Sequence, residues 1–157
     1  MATILFVCTG NIFRSLTAEY ALRAQLPPSH PHRVRSAGIE AHPEPVAATV
    51  RDRLLARGVD CRGHVQRRLT HAVLAEADLV VAMGVDHRAF IRRVFSREAP
   101  LFHEICFGRE EGVLDLHEAL PDWSCDPEAS QRYIVRTVDH IWKAMPAFIA
   151  RLPDWVR

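Results

Sequence analysis

Two short apolar runs stand out along the chain because neither alternates with polar residues. Residues 3–8 (TILFVC) and 78–83 (DLVVAM) consist mainly of β-branched and aliphatic side chains. A run of this length without alternation is typical of a strand that is buried on both faces of a parallel sheet. We therefore predict buried strands at both positions.

Helical spacing of apolar residues separates these runs from weaker strand patterns at residues 32–38 and 100–106. Residues 110–124 are polar and irregular. Strands that alternate with helices predict an α/β fold in which helices cover both faces of a parallel sheet. The helices are predicted over residues 15–26, 45–57, 69–76, 86–95 and 128–152.

Composition and charge narrow the choice of partners. The chain has 157 residues, of which 48% are hydrophobic and 25% are charged, and this predicts one domain that spans residues 1–157. Twenty Lys and Arg residues against nineteen Asp and Glu residues give a net charge of +1, which favours neither nucleic acid nor a membrane surface as a partner. The apolar runs are far shorter than the roughly 20 residues of a membrane span. An anion site in this chain therefore has to be local.

The cysteines and the start of the chain indicate the compartment. The cysteines, at positions 8, 61, 106 and 125, form no C-x-x-C pair and are too sparse for a disulfide scaffold. The first residues lead into the run at 3–8 without a basic stretch or a cleavage site, so no secretory signal is visible. We expect a cytoplasmic protein with reduced thiols.

The segment after the first strand carries candidate chemistry. Cys8 ends the strand, five residues follow, and then come Arg14 and a hydroxyl, Ser15, where the helix starts. In an open α/β sheet, ligands bind beyond the carboxyl ends of the strands, where the next helix points its N-terminus at them. Gly10 and Asn11 readily adopt positive φ, which lets the loop curl until its N–H groups converge on one anion.

These groups predict a phosphate site with a reactive sulfur. Arg14 can hold two phosphate oxygens with its planar fork. Convergent N–H donors, an arginine and a hydroxyl favour the thiolate form of Cys8, which can then attack phosphorus and form a phosphocysteine. The alternative is an ordinary buried thiol with a first-turn arginine, but the position between a strand and a helix favours catalysis. The predicted phosphate-binding residues are Thr9, Gly10, Asn11, Ile12, Phe13, Arg14 and Ser15.

The stretch FVCTGNIFRS at residues 6–15, followed by Ala18-Glu19, resembles the N-terminal signature of the low molecular weight protein tyrosine phosphatases. The resemblance implies a four-stranded parallel sheet with helices on both faces, hydrolysis through phosphocysteine, and neither a metal nor another cofactor. Further matches, in the family's order, are Ser36-Ala37-Gly38, Gly58, His64, residues 78–83 and a late Asp-Pro pair.

The resemblance also implies a role for each matching residue. Cys8 becomes the nucleophile, Arg14 the clamp on the transition state, and Ser15 the hydroxyl that stabilises the thiolate. Asn11 would hold the strained loop. Its implied hydrogen-bonding partners are Ser36 and His64.

In this family an aspartate in a loop before the last helix protonates the leaving group. Asp126 precedes a proline, as the family's acid does, and we expect it to be the general acid. Asp122 is the alternative, since it follows a proline but has Trp123 after it.

Departures from the family pattern bear on redox chemistry and on the substrate. Phe13 stands where many members have a second cysteine, so Cys8 lacks that disulfide partner. The family's aromatic residues after Asp-Pro are absent, and Trp123 or Phe13 is expected to replace the wall that grips a phosphotyrosine ring. Ile12 favours phosphotyrosine over phosphoarginine, because phosphoarginine enzymes of the family tend to place a small hydroxyl residue there. We expect a phosphotyrosine protein or peptide as substrate, inorganic phosphate as product, and a monomer or weak dimer.

Two other functions remain open at this point. Arsenate reductases share the loop and the fold, but they pass oxidising equivalents to two further cysteines in a mobile segment, whereas the cysteines here are scattered. A catalytically silent phosphoprotein-binding module would keep the anion site and lack the acid, whereas here two aspartates are available.

Overall fold

Strand β1 (Thr3–Cys8) lies at the centre of a parallel sheet, between β2 (Arg33–Gly38) and β3 (Leu79–Ala82). The computed structural model, which describes residues 1–156, pairs Cys8 with Gly38 on one side of β1. All residues of β1 and β3 are buried. The prediction of buried strands from the two apolar runs is confirmed.

The weak strand predicted at residues 100–106 is wrong over most of its length, because Phe102–Phe107 form helix α5. A single isolated bridge pairs Leu101 with Ala82 of β3, at the edge of the sheet where a fourth strand was expected. The apolar residues at 101, 102, 105 and 106 fit a helical spacing as well as a strand, and Glu104 accepts a hydrogen bond from Leu101 N that caps the helix. The sheet therefore has three strands, and the implied count of four is not confirmed.

Helices cover both faces of this sheet. Alternate residues of β1 point to opposite sides, with Phe6 packed in one apolar cluster and Val7 in another. The Phe6 side is covered by α1 (Arg14–Gln25), α5 and the long α7 (Pro127–Trp155). The opposite side is covered by α3 (His71–Ala75) and α4 (Val85–Phe95).

A third apolar cluster joins α2 (Ala48–Ala56) to α1 and α7 through Leu16, Leu54 and Val138. All the predicted helices are present, with ends displaced by no more than three residues. The polar segment before α7 contains a short helix α6 (Leu116–Ala119) and a 3-10 helix (Trp123–Cys125). Within residues 1–156, no helix is both long and apolar enough to cross a membrane.

Candidate active site

The loop of residues 8–15, here called the phosphate loop, is pressed against β2. A Cβ atom on Gly38 would lie 2.4 Å from Thr9 O and 2.9 Å from Asn11 N, so only glycine permits this approach. Asn11 has a φ of 58°, in the left-handed region. Gly10, for which positive φ was also predicted, does not adopt it. The turn of the loop therefore depends on Asn11 and on a bare backbone at Gly38.

A chain of hydrogen bonds with a fixed direction runs beneath the loop. It starts at Glu19, whose carboxylate is only 4% exposed and pairs with Arg23 at 2.7 Å. An ionised carboxylate only accepts hydrogen bonds, so the Ser36 hydroxyl donates to Glu19 Oε1 at 2.5 Å. Ser36 Oγ is then free to accept from the Asn11 amide at 2.8 Å.

The chain ends on the sulfur of Cys8. The Asn11 amide also donates to Ser15 Oγ at 2.9 Å. Ser15 Oγ accepts this bond, so its own proton is available to Cys8 Sγ, 2.9 Å away, or to Ala37 O at 3.5 Å. A hydroxyl donor at this distance stabilises a thiolate more than a thiol. The structure thus brings together Cys8, Ser15, Asn11 and Ser36, as expected from the sequence.

Asn11 is held from its other side as well. Its backbone oxygen lies 2.9 Å from His64 Nε2, and its side-chain oxygen accepts from Arg67 N at 3.0 Å. Burial lowers the pKa of His64 below its ordinary value. His64 therefore lies where it was expected, and the Arg67 backbone completes the polar contacts of a fully buried asparagine.

Arg14 is 2% exposed and contacts both the phosphate loop and the segment before α7. Its guanidinium donates to Val113 O at 2.9 Å and to Thr9 Oγ1 at 3.4 Å. It also lies 3.3 Å from the carboxylate of Asp115 and 3.8 Å from that of Glu118. Asp115 is therefore the aspartate that reaches the phosphate site.

The two aspartates predicted as acids are not brought to this site. Asp126 is exposed and caps α7, where its carboxylate accepts from Ala129 N at 3.0 Å. Asp122 is exposed and precedes the 3-10 helix. The Asp-Pro pattern selects Asp126, whereas Leu116 follows Asp115, so the sequence does not single out the residue that faces Arg14.

His87 is a second residue that the sequence does not single out. It is fully buried, and its Nε2 lies 2.9 Å from Thr9 Oγ1. Within residues 1–156, its Nδ1 has no hydrogen-bond partner. Burial, reinforced by the nearby Arg14 charge, lowers the pKa of His87 to about 4. The ring is therefore neutral at pH 7 and adds no charge beside Arg14.

A cavity of about 420 Å³ opens above Cys8 and Arg14. Asn11 and Ser15 are buried beneath it, and Phe13 forms part of its wall. Trp123, the other aromatic residue expected in that wall, lines a neighbouring cavity instead. The remaining lining includes Thr9, Gly10, Ile12, Glu40, Glu44, Asp115 and Ile134.

This arrangement suits a phosphate ester. A sulfur with a hydroxyl donor lies at the base, an arginine beside it can neutralise phosphate oxygens, and a carboxylate faces that arginine. Among residues 1–156, no group of three or more His, Cys, Asp or Glu side chains is arranged to hold a metal ion.

Comparisons with known proteins agree with this geometry. The model of the family described as low molecular weight phosphotyrosine protein phosphatase matches residues 3–152. The low molecular weight protein-tyrosine-phosphatase Etp of Escherichia coli K12 is 39% identical over 93 residues, which are 59% of this chain and 61% of Etp. The match therefore spans about three fifths of that relative's length.

Two further similarities come from Bacillus subtilis. A protein-arginine-phosphatase of strain 168 is 36% identical over 115 residues, which are 73% of this chain and 74% of that protein. The crystal structure of a YwlE mutant superposes with a TM-score of 0.78 at 28% identity, covering 98% of this chain and 99% of that one.

Proposed function

The chain belongs to the low molecular weight phosphotyrosine protein phosphatase family, and we propose that it hydrolyses phosphotyrosine in proteins or peptides and releases inorganic phosphate. The observation that carries the proposal is the position of Cys8. Its sulfur lies 2.9 Å from the Ser15 hydroxyl, at the base of a cavity that Arg14 and Asp115 also line.

In the first step, the Cys8 thiolate attacks phosphorus opposite the tyrosine oxygen. The S–P bond forms while the P–O bond to the phenol breaks, and the phosphoryl group moves to sulfur. Arg14 neutralises the charge on the phosphate oxygens with its fork. Thr9, which contacts both Arg14 and His87, keeps the fork turned toward the loop.

The leaving phenolate requires a proton, and Asp115 is the residue placed to give it. In the second step, the Asp115 carboxylate takes a proton from the water that attacks phosphocysteine, and the Cys8 thiolate leaves. The Asp115 carboxylate lies 3.3 Å from the Arg14 guanidinium, so it stands beside the phosphate that Arg14 would hold. We therefore assign the general acid to Asp115 in place of Asp126.

Phosphotyrosine is the substrate that the cavity walls favour. Ile12 and Phe13 give the wall apolar surface on which an aromatic ring can pack. Phosphoarginine is the second candidate, because a relative named a protein-arginine-phosphatase matches over 73% of this chain. Glu40 and Glu44, which also line the cavity, suit a guanidinium group.

The free cysteines support the expectation of a reducing, cytoplasmic location, since Cys8, Cys61, Cys106 and Cys125 form no disulfide. The site draws on β1, α1 and α7, which supports the expectation that one domain carries the whole activity. A monomer or weak dimer would leave this cavity open to protein substrates.

Hydrolysis of p-nitrophenyl phosphate and of phosphotyrosine, phosphoserine and phosphoarginine peptides tests the proposal. We expect the wild type to prefer phosphotyrosine, and Cys8→Ser to lose at least about 10⁴-fold in kcat. We expect Asp115→Asn to lose roughly 10²- to 10³-fold on the peptide. Asp126→Asn is the matched control, and its kcat should stay within about threefold of the wild type, since the residue lies outside the cavity.

Three results would overturn parts of this assignment. Activity that survives Cys8→Ser removes the covalent route. A larger loss in Asp126→Asn than in Asp115→Asn returns the acid to the Asp-Pro pair. Faster turnover of phosphoarginine peptides establishes the second candidate.

A further inference from the structure

A second cavity, of about 540 Å³, lies beside the one above Cys8. The two cavities share Ala47, Leu116 and Ile134 in their walls. The shared residues place the two cavities side by side, and we call the pair the cleft. We call the second part the Trp123 cavity.

The Trp123 cavity presents mainly apolar surface. Trp123 is 46% exposed, although tryptophan, as a large apolar residue, is usually well buried. The main chain at Trp123 is held on both sides, because its carbonyl accepts from the Ser130 hydroxyl at 2.7 Å and its N–H donates to Leu120 O at 3.0 Å. The hydrogen-bonded backbone thus holds the exposed ring in a fixed position, where it can form one wall of a binding pocket.

We propose that the Trp123 cavity binds an apolar side chain of the substrate polypeptide, close in sequence to the phosphotyrosine. This inference rests on the proposed function. A phosphotyrosine bound above Cys8 holds its polypeptide at the mouth of the cleft, and an extended chain advances about 3.3 Å per residue. A neighbouring residue therefore lies over the continuation of the same cleft, where apolar surface is available.

The charged residues along the cleft indicate which residues are favoured beside the phosphotyrosine. The carboxylates of Glu40, Glu44 and Asp115 line the part above Cys8, and Glu128 lines the Trp123 cavity. Arg14 is the arginine in these walls, and it pairs with Asp115. His42 and His117 also line the part above Cys8, 3.0 Å from Glu44 and 3.4 Å from Asp115. Acidic residues beside the phosphotyrosine are repelled, whereas basic or neutral residues are accepted. The expected substrate class is a phosphotyrosine segment with one apolar neighbour and few acidic ones.

A phosphopeptide panel measures this preference. Each position from two before to two after the phosphotyrosine is varied among Leu, Ala, Lys and Glu, and kcat/KM is compared with that for p-nitrophenyl phosphate. We expect Leu to exceed Ala by about tenfold at one position in the wild type, and Trp123→Ala to abolish that difference. Trp155→Ala is the matched control, since Trp155 is 40% exposed at the far end of α7 and should leave the preference intact.

A substitution at Glu128 tests the effect of the carboxylates in the cleft. Glu128→Gln should raise kcat/KM for the Glu-containing peptides several-fold relative to the Lys-containing peptides, and the effect should shrink at high salt. A Leu preference that persists in Trp123→Ala, or no preference at any position in the wild type, overturns the inference. Neither result affects the proposed function, which is tested separately by the hydrolysis of p-nitrophenyl phosphate and of the phosphotyrosine peptides.

Discussion

The phosphate loop and the segment of residues 112–126, here called the acid segment, contribute to one cavity but are built in opposite ways. Asn11 and Ser15 are fully buried and Arg14 is 2% exposed, whereas in the acid segment the Asp115 side chain is 24% exposed and Asp122 and Asp126 are exposed. The loop is pressed against β2 and hydrogen-bonded to Ser36 and Arg67, while the acid segment contains two short helices and is held at one end by the buried Val113. The loop is therefore part of the core, whereas the acid segment is exposed over most of its length.

Arg14 is the main link between the two regions. It donates to Val113 O and Thr9 Oγ1, and it pairs with Asp115. One buried guanidinium thus holds Asp115 beside the loop. The comparison predicts that changes beneath the loop alter the stability of the whole protein, whereas changes on the exposed acid segment alter mainly the reaction.

The largest effect is expected for Gly38→Ala. The added Cβ would meet backbone atoms of Thr9 and Asn11, which cannot move without shifting the loop. We expect the free energy of unfolding to fall by about 3 kcal/mol. Chemical denaturation measures the change, and Gly63→Ala is the control, because nothing lies within 4 Å of its Cβ. A Gly38→Ala protein as stable as Gly63→Ala would show that the loop is not held by β2.

The next effect is a pH dependence at His87. Its pKa is about 4 in the folded protein, against about 6.5 when unfolded, so unfolding takes up a proton between these values. The contribution of His87 to the free energy of unfolding is complete above pH 6.5 and is lost as the pH falls toward 4. Burial is the largest cause of this low pKa and the Arg14 charge is the second, while the charges of Asp86 and Asp115 act in the opposite direction. We expect a loss of about 2 kcal/mol between pH 7 and pH 5.

The variant His87→Gln should lack this part of the acid destabilisation. Denaturation at several pH values gives the slope for the wild type and for the variant. Equal slopes for the wild type and His87→Gln would remove His87 as a source of acid sensitivity and weaken the contrast between the buried and exposed regions.

The smallest effect is expected for Glu19→Gln. An amide can donate as well as accept, so Ser36 no longer has to donate toward position 19. We expect a loss of about 1 kcal/mol in stability, measured by chemical denaturation. Glu98→Gln is the comparison, since Glu98 is 75% exposed and pairs with Arg92 far from the loop. A Glu19→Gln protein as stable as Glu98→Gln would show that the contact between Ser36 and Glu19 does not help to hold the loop.

The phosphate loop can be predicted from sequence because its chemistry is local. Cys8, Asn11, Arg14 and Ser15 lie within one strand-to-helix connection, so their spacing already places them around one point. Beneath them, the role of Glu19 emerges only when Ser36 is brought alongside by strand pairing. Local spacing thus identifies the residues around the loop, whereas their hydrogen-bonding partners beneath it follow only from tertiary contacts.

The acid segment cannot be predicted in the same way. Its path depends on contacts between positions distant in sequence, such as Gly112, whose Cβ would lie 2.9 Å from Gly84 Cα. Asp126 satisfies the local Asp-Pro rule but serves as a helix cap. The strand expected at residues 100–106 fails for a related reason, because its apolar spacing fits a helix equally well.

The central position of β1 determines how the reactive sulfur is protected. Both edges of β1 are hydrogen-bonded to neighbours, so fraying at an edge of the sheet does not release it. Amides in such a strand exchange with solvent deuterium only when the protein opens globally. Cys8 thus ends a strand that local opening does not expose, and its contact with solvent is through the cavity that it lines.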